Sequence, residues 1–172
     1  MSTNPHHDGK KEPIEFQANN GENCMKINPS DLKIIWGKDS RYWKVPEVGE
    51  EGDAELYQVS WLEVTGCVKV TDPKKEYEVG FNISLTPDAF GWSGSPVYIL
   101  VKRGKSGKFR GSKFPLDNLK EGENDKQVKA PMPEKNKEDE EDSKLVYFGL
   151  YEVWRGKWKG GLKIHHAFIK QK

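Results

Sequence analysis

The chain has 172 residues, with 28 Lys or Arg against 27 Asp or Glu, for a net charge of +1 with His neutral. That length suffices for one well-cored domain, while a hydrophobic share of 34% leaves part of the chain outside that core. The balanced charge excludes a global field that would gather nucleic acid or an anionic membrane, so such a partner would need a local patch.

Residues 1–25 are polar, with Ile14 and Phe16 as isolated large apolar residues, and read as a disordered tail. The start, MSTNPHHDGKKEP, lacks the apolar stretch of a signal peptide, and two cysteines, Cys24 and Cys67, are too few for a secreted disulfide framework. The expected setting is therefore the cytoplasm or nucleus, where Asn82-Ile83-Ser84 would not be glycosylated. No apolar segment approaches membrane-spanning length.

After a turn at Pro29-Ser30-Asp31, the stretch LKIIWGKDSRYWKV sets Trp36, Tyr42 and Trp43 around a short polar segment. A reversal centred on Asp39 and Ser40 would bring Trp36 opposite Trp43, on one side of a hairpin. Core plug and ligand platform are equally consistent with that pair. In ELYQVSWLEV, Tyr57, Val59 and Trp61 share one face, and Trp61 reads as interior. In EYEVGFNISL, Tyr77, Val79, Phe81, Ile83 and Leu85 alternate with polar or small residues, the pattern of a half-buried antiparallel strand. PVYILVK, LVYFGLYEVW and LKIHHAFIK complete the strands. The fold expected is all-β, a two-sheet antiparallel sandwich occupying residues 26–172. Residues 117–144 have almost no large apolar side chains and carry an acidic run, Glu138 to Asp142, so they read as a flexible charged insertion between strands.

Catalytic sets are missing from this reading. His165 and His166 are strand neighbours that point to opposite faces, a poor metal pair, and GWSGSP lacks the second glycine of a nucleophile elbow. GKSGKF lacks the spacing of a phosphate loop and reads as a hairpin tip. Lys102, Arg103, Lys105, Lys108, Arg110 and Lys113, with Phe109 and Phe114 between them, form the best local case for phosphate contact, against the alternative of a charge-protected edge. Of six Trp, five (Trp36, Trp43, Trp92, Trp154 and Trp158) lie in or near polar, Gly-rich turns. An indole face suits the CH-rich face of a pyranose, and in YEVWRGKWKGGL the charged residues Glu152, Arg155, Lys157 and Lys159 could take its hydroxyls. Alternation sets Glu152 on the face of Phe148 and Leu150, and the emerging end of the strand is the expected place for its carboxylate.

The segments LKIIWGKDSRYWKV, AELYQVSWLEVTG, YEVGFNISLTPDAFGWSGSPVYILVK and LVYFGLYEVWRGKWKGGLKIHHAFI arrive in the order seen in the phloem protein 2 family of plant lectins, which includes the tobacco agglutinin Nictaba, and the chain resembles that family over residues 30–116 and 145–169. The resemblance implies a jelly-roll-like β-sandwich of the cytosol and nucleus with no catalysis, cofactor or metal. The implied ligands are N-acetylglucosamine oligomers, chitin fragments and N-glycan cores of glycoproteins, bound by homodimers in phloem or plant defence. Carried over, the family's two binding-loop Trp fall on Trp36 and Trp43, and its acidic and basic partners on Glu152 and Lys159, with Lys157 as the alternative. Arg41, Tyr42 and Trp92 complete the candidate set. The tail and the charged insertion depart from the family pattern. The rival expectation is an RNA-binding or ribonucleoprotein transport factor of phloem that uses residues 102–113, with a filament protein as a further partner.

Overall fold

The structure is a computed structural model and describes residues 4–16, 24–71, 75–105, 107–116, 126–131 and 144–171. Among the described residues twelve strands follow in chain order. They are β1 (Ile14–Glu15), β2 (Cys24–Ile27), β3 (Lys33–Ile34), β4 (Trp43–Lys44), β5 (Ala54–Leu56), β6 (Leu62–Lys69), β7 (Tyr77–Phe90), β8 (Val97–Arg103), β9 (Arg110–Phe114), β10 (Lys126–Pro131), β11 (Leu145–Glu152) and β12 (Gly160–Gln171). A 3-10 turn, Pro29–Asp31, stands where the sequence places a turn.

The strands form two sheets. The first runs β1-β6-β11-β8-β9 with β3 also on β6, and the second runs β10-β7-β12-β5-β4 with β2 also on β12. All pairings are antiparallel except β1 on β6, so the expected two-sheet sandwich is present with one parallel edge. The alternating residues of β7 and β11 close the core between the sheets, and Phe81 meets Phe148 across it at 5.8 Å.

Two segments depart from expectation. Within the stretch read as a disordered tail, residues 4–16 are part of the sandwich. His7 bridges Ile34, Ile14 and Glu15 pair with Val68 and Lys69, and Phe16 is buried edge-on to Tyr77 at 5.7 Å. Few side chains suffice because the open backbone of β3 and β6 supplies the partners. Residues 1–3 and 17–23 lie outside the described residues. In the stretch read as a flexible insertion, Lys126–Pro131 is a strand on the edge of the second sheet, with Val128 buried against β7. The acidic run from Glu138 to Asp142 lies outside the described residues.

The region 102–113 is a hairpin, as read. β8 and β9 pair from Val97↔Phe114 to Val101↔Arg110, with the tip closed by Gly107 N–H donating to Gly104 O at 3.2 Å. Trp61, read as interior, is instead 46% exposed at the entry to β6, where its indole N–H donates to Glu63 Oε1 at 3.2 Å.

Candidate functional site

The polar segment after Trp36 is not an even hairpin. Asp39 N–H donates to Trp36 O at 3.1 Å, and both Tyr42 and Trp43 N–H donate to Asp39 O at 3.0 Å. Asp39 Oδ1 also accepts the Arg41 backbone N–H at 3.0 Å, an Asx-type turn. The same carboxylate takes the Arg41 guanidinium by two bonds, Nε to Oδ1 at 3.0 Å and Nη2 to Oδ2 at 2.7 Å. The Arg41 side-chain bonds hold the Asp39 carboxyl below its ordinary pKa and raise that of Arg41. These tight turns send Trp36 outward and Trp43 inward. The expected facing pair is thereby split: Trp36 is 38% exposed and Trp43 only 2%.

Trp36 has φ of 67°, the one non-glycine residue with positive φ among the described residues. A bulky side chain holds this conformation only where the surroundings impose it. Here the Trp36 backbone N–H donates to His6 Nδ1 at 2.9 Å, and the two rings meet edge-on at 5.4 Å.

From Trp36 a file of aromatic rings crosses the surface. Trp36 stands edge-on to Tyr42 at 5.8 Å, and Tyr42 lies 6.3 Å from Trp158, tilted by 34°. The Arg41 guanidinium lies 5.1 Å from the centre of the Tyr42 ring. Two chain segments supply these rings, and a third, through Tyr57 and Val59, fixes them to one another by backbone bonds. Tyr57 N–H donates to Tyr42 O at 2.7 Å, and Val59 and Lys159 exchange two backbone bonds of 2.9 Å. Trp158, next to that bridge and 52% exposed, is held against the turn that carries Tyr42. Beside the file is a hollow of about 700 Å³, walled by Lys38, Ser40, Trp43, Val45 and Tyr57 among others.

The other expected site residues lie beneath. Trp92 is buried, and its indole N–H donates to Gly160 O at 2.9 Å. The expectation that Glu152 emerges at the strand end is corrected: Glu152 is 1% exposed and Lys159 0%. Lys159 Nζ is 3.6 Å from Glu152 Oε1 and donates to Ser60 O at 3.0 Å, while Arg155 N–H donates to Glu152 Oε1 at 3.3 Å. Burial lowers the pKa of the Lys159 ammonium, and the nearby Glu152 carboxylate opposes that shift. A carboxylate can sit on the core face because its charge has this partner and its oxygen a backbone donor. Lys157, the alternative to Lys159, is at the surface and donates from Nζ to Ser93 O at 3.0 Å.

Of the seven expected residues, then, Trp36, Arg41 and Tyr42 come together at the surface, and Trp43, Trp92, Glu152 and Lys159 form the layer below. Trp158 and His6 were not in the expected set. Trp158 was signalled by its polar Gly-rich turn, whereas His6 carried no signal because its segment reads as a tail. A bulge in β12 between Ile164 and His166 further aims His165 at Ser84, with Oγ to Nε2 at 2.8 Å, and His165 Nδ1 is 3.0 Å from Asp53 Oδ1. Ser84 is buried within the β7–β12 ladder rather than presented on a sharp turn, so the chain of contacts reads as a tie between β5, β12 and β7. Among the described residues no group of three or more His, Cys, Asp or Glu could hold a metal ion, and no helix is long and apolar enough to cross a membrane.

Among solved structures, the xylan-binding module CBM15 overlays on 88% of this chain and 97% of its own, with a TM-score of 0.48 and 9% identity. In sequence, the protein PHLOEM PROTEIN 2-LIKE A9 of Arabidopsis thaliana is 38% identical over 94% of each chain. A lectin of Luffa acutangula is 37% identical over 51% of this chain and 44% of that protein. The family model described as phloem protein 2 matches residues 22–171, and the chain belongs to the phloem protein 2 family.

Proposed function

We propose that this protein is a carbohydrate-binding lectin without catalytic activity, and that its ligand lies along the file formed by Trp36, Tyr42 and Trp158. The observation that carries the reading is the file itself: three neighbouring rings at the surface, on backbone pinned to the core. Pyranose rings would stack on the aromatic faces, and Arg41 at the rim would donate to hydroxyl or acetamido oxygens. Trp43, Trp92 and the Glu152–Lys159 pair support the site from below without touching the sugar. N-acetylglucosamine oligomers, including chitin fragments and glycoprotein N-glycan cores, are the proposed ligands, on the strength of the family. A homodimer in the cytoplasm, serving phloem or defence, would multiply weak single-site affinity through effective concentration.

The RNA reading loses ground at the basic hairpin. Arg103 is buried with its guanidinium 6.0 Å from the Tyr77 ring, and the Lys102 ammonium sits 5.0 Å from the rings of both Phe109 and Tyr147. A glycan array at low and high salt tests the proposal. Binding to N-acetylglucosamine oligomers that hardly changes with salt, and that is lost in Trp158→Ala, supports it. Binding confined to polyanions and falling steeply with salt overturns it.

A further inference from the structure

The outer face of the first sheet carries a separate cleft of about 780 Å³. One wall is the amino-terminal segment Asp8–Ile14, the other the β8–β9 hairpin with Lys102, Lys105 and Phe109, and the floor includes Thr65, Cys67, Tyr147 and Tyr151. Register places three rows across this floor. Glu63 stands beside Tyr151 and Tyr98; Lys33 leads through Thr65 and Gly149 to Leu100; Cys67 leads through Tyr147 to Lys102.

Gly149 makes the middle row a platform. A Cβ at Gly149 would lie 2.5 to 2.9 Å from Cε2, Cζ and Oη of Tyr151, so that phenol is folded back over the glycine instead of standing upright. Gly149 is buried beneath it, in the middle of an outward-facing row. The hydroxyl end of the ring thus lies over the backbone of Gly149, and Tyr151 lines the cleft. Tyr147, four residues back on the same strand, lies about 13 Å away along it, the span of a short oligosaccharide. Cations surround the floor: Lys10, Lys11, Lys33, Lys102 and Lys105 stand against Asp8, Glu12, Asp31 and, beside Tyr151, Glu63, and Asp31 is engaged by Lys10 at 3.9 Å.

We propose that this cleft is a second binding site, for an anionic oligosaccharide built of uronic acid units. A sugar ring stacks on Tyr151, and the carboxylates of the neighbouring units reach Lys33 and Lys105. The observations favour this ligand over a polyphosphate. The charge excess is small, the chain as a whole is at +1, and the platform is a single phenol backed by a glycine rather than a succession of upright rings.

The test is calorimetric titration with a galacturonate tetramer, a neutral galactose tetramer of equal length and a short single-stranded RNA. The expected result is binding of the galacturonate tetramer, weakened several-fold by high salt, with the neutral tetramer at least about tenfold weaker. Tyr151→Ala, with an unfolding midpoint close to the parent's, lowers affinity at least about tenfold, and Gly149→Val does the same by displacing the phenol. Trp158→Ala leaves galacturonate binding unchanged, which keeps this site distinct from the aromatic file whether or not the file binds sugar. Equal binding of the neutral tetramer, galacturonate binding unaffected by Tyr151→Ala, or displacement of the tetramer by RNA at lower concentration overturns the proposal.

Discussion

At one end of the sandwich two layers of the same chemistry lie one above the other, and they serve opposite ends. In the upper layer Trp36, Trp158 and Arg41 are exposed and Tyr42 is half-buried against the core; the layer's backbone is partly strained, and its rings meet edge-on at Trp36–Tyr42 and tilted at Tyr42–Trp158. The lower layer (Trp43, Trp92, Glu152 and Lys159) is buried and, apart from the Trp43 indole N–H, hydrogen-bonded or ion-paired. Indoles and charges alone do not tell a binding surface from a support. The turn geometry that exposes one indole and buries the next decides it.

Mutations that separate the layers test this contrast. The largest effects belong below. Trp43→Ala is expected to cost about 3–5 kcal/mol of stability, the range for truncating a buried aromatic, in a denaturant titration. A loss under about 1 kcal/mol would place Trp43 at the surface instead. Lys159→Met leaves the Glu152 carboxylate buried alone and should cost about 3 kcal/mol or more, whereas Lys159→Met combined with Glu152→Leu recovers much of that loss. A double mutant as unstable as the sum of the singles would show that the two side chains are not coupled.

Above, the expected pattern reverses. Trp158→Ala should weaken binding of N-acetylglucosamine oligomers by about 2 kcal/mol while the unfolding midpoint changes little. In Trp36→Gly the lost ring contacts are offset by relief of the left-handed backbone, so stability stays within about 1 kcal/mol as binding falls. Destabilisation matching that of Trp43→Ala would erase the distinction between the layers.

The smallest effect lies outside both layers. Burial pushes the Cys67 thiol up from its ordinary 9.0 to about 11. Between those values the unfolded chain has released the proton and the folded chain keeps it, so stability falls as pH rises through that window. Partial exposure limits the loss to about 1–2 kcal/mol. Denaturant titrations at the two ends of the window should show Cys67→Ala without that part of the alkaline decline.

The long strands were legible because alternation marks them directly, as in the run from Tyr77 to Leu85. β1 and β10 were not, since each is held by backbone pairing with an existing strand and the sequence there carries too few large apolar residues to leave a pattern. In the candidate site, the aromatic turn residues and the coupling of Glu152 to Lys159 could be read, but their depth could not. Two-residue spacing set Glu152 on the core face correctly, and the cost of burying a lone carboxylate argued for moving it outward. What reverses that argument is an ammonium seven residues later, brought back by the turn through Arg155 to Trp158. The inward rotation of Trp43 likewise depends on Asp39 accepting from two residues beyond it, which side-chain periodicity does not register.

β12 pairs with β2, β5 and β7, so three strands of the second sheet, begun as early as Cys24, meet on a strand that starts only at Gly160. During synthesis the ribosome delivers this shared partner after all the others. Until it emerges, β2 and β5 have no β12 ladder to join and β7 offers one side unpaired, with Phe81 and Ile83 exposed. Closure of the second sheet therefore waits on β12, and until it forms the unpaired strand edges are where mispairing would begin.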